Sequence, residues 1–238
     1  MEWKGSPEGG RPLQYRILHQ PSYALAIVEL EPGEELQAEP GALVSMSGNV
    51  SLQAEARGGL LGALSRSLLG GESFFTSRYR ADGARGEVML APALPGDITV
   101  LELAGEVVYL KSGAYLAGAT TLTVDARWGG ARGFFGSGGL FLLRVAGHGA
   151  LFINSYGALH RKDLAPGQRY VVDTGHVVAF TDGMAFQVRT AGSGLFSSIA
   201  SGEGLACEFT GPGTVYIQTR SEASLLSWLI PKLPSRRE

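Results

Sequence analysis

Metal or nucleophilic chemistry in this chain of 238 residues would have to rest on four histidines, one cysteine and a few serines beside glycine. A metal site on one strand or helix needs a second ligand two to four residues from the first. None of His19, His148, His160 and His176 has another histidine or cysteine at those spacings. The His-x-His strand motif of metal-binding double-stranded β-helix enzymes is therefore absent. His148 lies between Gly147 and Gly149, and His176 follows Gly175. Both read as solvated turn residues, with His148 at the tip of a hairpin. Cys207 sits in an apolar strand, where a thiol is buried and inert, and a single cysteine excludes an intrachain disulfide. There is no Gly-x-Ser-x-Gly elbow, and Ser137 and Ser193 have no base near them in sequence. Gly192-Ser-Gly194 and Gly136-Ser-Gly-Gly139 lack the strand-then-helix setting that makes a phosphate loop work. Glu72 and Glu203 both follow glycine at corresponding points, but paired acid–base work needs carboxyls held together with shifted pKa values. Turn capping or pairing with arginine is the simpler role. The residues imply no catalytic group, no metal and no cofactor.

Thirty-five glycines, 11 prolines and 18% charged residues suit many short strands joined by tight turns. A 45% hydrophobic content, spread along the chain, is enough for a packed core. The clearest stretch, 202–220, reads as strands 205–209 and 214–219 joined at Thr210-Gly-Pro-Gly213. Echoes at 136–154 and 71–90 read as paired strands too. Upstream of each, a Pro-Gly turn (Pro32-Gly33, Pro95-Gly96, Pro166-Gly167) leads eight or nine residues later to a glycine opening an apolar strand (Gly41, Gly105, Gly175). The order then continues with an alternating strand, a glycine-rich apolar loop and the paired strands. Such self-similarity is the signature of internal duplication. The expected fold is all-β: three tandem β-sandwich repeats, double-stranded β-helix-like, around a pseudo-threefold axis, with a short C-terminal helix. The expected divisions are a polar tail (1–12), repeats at 13–92, 93–158 and 159–220, and a helix with its tail at 221–238.

The loops 58–71, 127–139 and 192–204 mix glycine with adjacent large apolar residues: Leu60-Leu61, Phe134-Phe135 and Leu195-Phe196. They either tuck over the ends of their own sandwiches or form an apolar contact surface for another subunit, lipid or a partner. The stretch 221–230 predicts an amphipathic helix bearing Leu225 and Trp228, ended by Pro231. It could dock on its own domain, on a neighbouring subunit, or shallowly on a membrane surface. A formal charge of −2 supplies no pull toward nucleic acid, although Arg78-Tyr79-Arg80 and Arg127-Trp128 with Arg132 are local basic-aromatic clusters. No apolar run reaches the roughly 20 residues that span a bilayer, and no secretory core region opens the chain. A cytoplasmic protein, peripheral to a membrane at most, is the expectation.

Taken together, PGEELQAEPGALVSM, GGESFF, GEVMLAPALPGDI, GLFLL with GHGALFINSYG, and GEGL with FTGPGTVYIQTR resemble the bacterial members of the family named for "altered inheritance of mitochondria". The resemblance runs from Leu13 to Arg220. It implies a triplicate of small β-sandwich modules similar to subunits of the ring-forming tryptophan RNA-binding attenuation protein. It implies no enzymatic activity, and it links fungal mitochondrial members to inner-membrane organisation. The family's second-repeat Gly-Glu-Gly-Leu-Phe is interrupted here by Ser137-Gly-Gly139. The functional expectation is a self-associating scaffold or binding module, a homo-oligomer with a trimer as one possibility. Alternatives are a membrane-surface organiser and a binder of RNA or a small molecule.

Overall fold

The computed structural model describes residues 12–56, 75–125, 142–190 and 205–234. Within them the chain is mostly strand, with one short helix near its C-terminal end. Strands β1 (Gln14–Leu18), β2 (Leu25–Leu30), β4 (Leu43–Met46) and β7 (Gly86–Leu90) form one sheet in the order β1-β2-β7-β4. Strands β13 (Arg169–Asp173), β15 (Ala185–Thr190) and β16 (Leu205–Thr210) form another, in the order β13-β16-β15. A long sheet holds the rest: β3 (Glu35–Ala38), β5 (Val50–Ala56), β6 (Phe75–Ala81), β8 (Ile98–Lys111), β9 (Tyr115–Ala119), β10 (Leu122–Asp125), β11 (Leu142–Asn154), β12 (Leu159–Leu164), β14 (Val177–Thr181) and β17 (Gly213–Gln218).

One pairing pattern recurs. β3-β6-β5 and β13-β16-β15 share an order, and residues 107–111 of β8 lie beside β11 and β10 in the same way. The pairs β4–β7, β9–β11 and β14–β17 each carry one irregularity near the start of the first strand. Buried side chains gather in three clusters. The first centres on Val28, Leu36, Tyr79 and Phe152, the second on Leu110, Leu143 and Leu151, and the third on Phe180, Phe209 and Val215.

Two joints connect these parts edge to edge. β9 pairs with β3 through Leu36↔Ala119, Gln37↔Gly118 and Ala38↔Ala117. The buried Gln37 side chain locks this joint by donating to the carbonyls of Ala119 (2.9 Å) and Leu122 (3.0 Å). β14 pairs with β8 through Val108↔Thr181, Tyr109↔Phe180 and Leu110↔Ala179. At the ends of this series, β4 pairs with β7 alone and β13 with β16 alone among the described strands.

Three readings of the sequence need correction. Gly105 does not open a new strand, because β8 runs unbroken from Ile98 to Lys111. Gly147-His148-Gly149 is not a hairpin turn but lies within the continuous β11. The glycines take positive φ there (Gly105 110°, Gly147 128°, Gly149 122°), and the β8–β11 register slips between Ala146 and His148. Glycine inside a strand marks a bulge as readily as a turn, and the facing glycines let both strands bend together. The two strands expected at 202–220 form, as β16 and β17, but they do not pair with each other. β16 lies between β13 and β15 and β17 between β12 and β14, so the Gly211-Pro212 turn carries the chain from one sheet to another, as the link from β6 to β7 also does.

Candidate functional site

A cleft of ≈ 190 Å³ is lined by residues far apart in sequence, among them Glu39, Lys111, Asn154, Tyr156, Gln218 and Glu222. Glu39 follows β3 and Lys111 ends β8; each stands two residues before a glycine, Gly41 or Gly113, that turns the chain with positive φ. The turns match, for Ala42 N–H donates to the Glu39 carbonyl (3.2 Å) and Ala114 N–H to that of Lys111 (3.0 Å). An ammonium with 7% of its side chain exposed needs a counter-charge, and Lys111 Nζ has the Glu222 carboxylate at 3.2 Å. Burial pushes the Glu39 carboxyl up to about 7.

Much of the remaining polarity is spent on structure. Gln218 accepts from Tyr156 N–H (3.0 Å) and donates to the Gly175 carbonyl (2.9 Å). His176 Nδ1 lies 2.8 Å from the Gln218 carbonyl oxygen, which ties that ring to the same strand end. Chemically, the cleft offers one carboxyl that exchanges a proton near neutrality and one fixed cation. No group of three or more His, Cys, Asp or Glu capable of holding a metal occurs among the described residues.

The Glu39 carboxyl has a testable consequence. Between pH 4.5 and about 7 the folded chain keeps a proton that the unfolded chain has released, so stability falls as pH rises through that window. Glu39→Gln should therefore raise the thermal midpoint at pH 8 and leave it unchanged at pH 4. Melting curves at both values check the sign.

The other candidate residues are dispersed. Leu60, Leu61, Phe134, Phe135, Leu195 and Phe196 lie outside the described residues, as do Glu72, Glu203, Ser137 and the Arg127-Trp128-Arg132 cluster. Leu225 is half-buried on helix α1 (Glu222–Leu229), whereas Trp228 is 62% exposed. Leu226, Ile230 and Leu233 are also exposed, and Lys232 Nζ sits 5.2 Å from the Trp228 ring centroid. The helix begins where expected, its N-cap Ser221 accepting from Ser224 N–H. The Arg78-Tyr79-Arg80 cluster is no stacking surface. Tyr79 is 1% exposed, Arg78 pairs with Glu35 at 2.9 Å, and Arg80 Nη1 lies 3.8 Å from the same carboxylate. Cys207 is buried as expected, and burial, with Asp173 nearby, pushes its thiol up to about 12. His160 stands in β12.

Sequence reasoning missed Glu39 and Lys111. Their shared position before a strand-opening glycine was the available signal.

A family model described as Mitochondrial biogenesis AIM24 matches residues 15–220. The chain belongs to this family. It is 32% identical over 231 residues to an uncharacterized protein of Streptococcus pyogenes serotype M6, M6_Spy0233, covering 94% of this chain and 92% of that one. It also resembles the crystal structure of protein SPYM3_0169 from Streptococcus pyogenes, with a TM-score of 0.77 and 30% identity over 93% of this chain and 100% of that one. The AIM24 match takes in both edge-to-edge joints and stops before helix α1. No helix among the described residues of this AIM24-family chain is long and apolar enough to cross a membrane.

Proposed function

We propose that this protein is a non-catalytic, self-associating scaffold or binding module made of three copies of one two-sheet unit. One observation carries the reading: successive units meet edge to edge at two joints, and both joints keep the same register. The equivalence supported by strand pairing sets Gly33, Gly105 and Gly167 together, and likewise Gly41, Gly113 and Gly175. Under it, Gln37↔Gly118 and Tyr109↔Phe180 are the same pair in successive joints. Pro95-Gly96 then falls in the connection between units one and two, not in the turn position first assigned to it. The three units span 25–90, 98–154 and 159–218, within the divisions expected from sequence.

A scaffold of this kind predicts a mass in solution that is a multiple of 25.0 kDa. Light scattering on the full chain tests it, and a monomer at all concentrations contradicts it. A membrane-surface role has one observation in its favour, the exposed Leu226, Trp228, Ile230 and Leu233 around α1. It predicts flotation with liposomes that is lost in Trp228→Ser. A protein that stays at the bottom with neutral and anionic lipid alike removes that role.

A further inference from the structure

We infer that the open edges of β4 and β13 pair with each other between copies of this chain, joining molecules head to tail in the register that joins the units within each chain. The inference rests on the three-unit reading above and names the surface through which it assembles.

In unit order, the edge strand β3 of the first unit takes β9 of the second, and the 107–111 part of β8 takes β14 of the third. Two equivalents are left over, β4 on the first unit and β13 on the third. Their residues are built for the same contact. β9 and β14 are buried through their first four positions, whereas β4 is half-buried at its first position and exposed at the next three. Val44 is 57% exposed, while its counterparts Leu116 and Val178 are both 0%. Met46 is 39% exposed, while its counterpart Phe180 is 2%. The facing side shows the same contrast: Leu36 and Val108 are buried, but their counterpart Tyr170 is only half-buried.

An exposed apolar edge strand is a template for pairing with another chain, and natural proteins cover or charge such edges. Here the edge carries valine and methionine, and the strand that fits it by register belongs to this same protein. Carrying the internal pairs forward by one unit gives the contact: Tyr170↔Ser47, Val171↔Met46 and Val172↔Ser45 across two molecules. The two surfaces differ, so the contact is heterologous, and repetition makes a closed ring or a filament.

The test uses the full chain with Met46→Cys and Val171→Cys made as separate variants and mixed under mild oxidation. Native Cys207 is 1% exposed and stays out of the reaction. A disulfide-linked dimer in the mixture, and none from either variant alone, is the expected result. Val44→Lys combined with Met46→Lys replaces exposed side chains, so the thermal midpoint of the chain should hold while its mass drops to that of the monomer. An oligomer that neither cross-links in the mixture nor responds to the lysines overturns the edge pairing and leaves the scaffold reading standing. Cross-linking within a single variant overturns the head-to-tail geometry. A wild-type chain that is monomeric at every concentration overturns both.

Discussion

Gly96→Ala should destabilise the chain by more than about 4 kcal/mol, the range reserved for a substitution that forces backbone apart. A Cβ at this position would lie 1.6 Å from the Ser155 carbonyl oxygen and 2.8 Å from its carbon. Neither neighbour is a side-chain end that can swing away. The clash falls on the knot that holds the two unit connections together. Ala24 N–H donates to the Gly96 carbonyl (2.9 Å), Asp97 N–H to Gly157 (3.0 Å), Gly157 N–H to Pro95 (2.9 Å) and Ser155 N–H to Asp97 (3.1 Å). Separating the strands by an ångström or more weakens all four bonds. For a domain of this size the loss corresponds to roughly 8–16 °C in thermal midpoint. Gly48→Ala is the control, since nothing lies within 4 Å of its added carbon and its φ is not in the left-handed region. A Gly96→Ala midpoint within about 2 °C of wild type would show that this close approach does not hold the connections together.

Phe180→Ala should cost about 3–5 kcal/mol, the usual range for removing a buried phenyl ring. The ring is 2% exposed, and its centroid lies 5.2 Å from Tyr109, 5.0 Å from Phe186 and 5.3 Å from Phe209. It serves two purposes at once. It fills the third core, and it sits opposite Tyr109 in the β8–β14 joint. The hydroxyl of that tyrosine donates to the Asp182 carboxylate at 3.2 Å, which holds the ring against β14. Phe180→Leu keeps most of the volume and should recover more than half of the loss. Denaturant titration of the three proteins measures both numbers. Equal loss in the Ala and Leu variants would contradict the packing account.

Much of the fold was legible because its signals are local. β16 and β17 are two apolar runs on either side of a Gly-Pro-Gly turn, although the sheet each one joins was not legible, and α1 announces itself by Ser221, Glu222 and a glycine-free apolar stretch. Cys207 reads as buried because its neighbours are apolar. What failed depended on partners distant in sequence. Gly105 looks like a turn residue, and only the facing Gly147 and Gly149 make it a bend in a continuous strand. That misreading moved the second copy of the repeat onto Pro95-Gly96. The exposure of β4 could not be read either. Leu43-Val-Ser-Met46 is nearly as apolar as Val177-Val-Ala-Phe180, but β14 has a strand on both sides and β4 on one among the described strands. Glu39 and Lys111 were passed over for a related reason. A lone carboxylate and a lone lysine become notable only when folding brings them to one cleft.

If copies of the chain join head to tail, β4 and β13 are covered in the assembly and open in the monomer. Amide hydrogen exchange at the outward-facing amides of β4 and β13, those not bonded to β7 or β16, followed across a dilution series, distinguishes the two states. The internal edge strands β9 and β14, already paired within the chain, serve as protected references at every concentration. Protection of both open edges at high concentration, lost together on dilution and in the Val44→Lys/Met46→Lys variant, is the predicted result. Rapid exchange at both edges at every concentration, with β9 and β14 protected throughout, would contradict it.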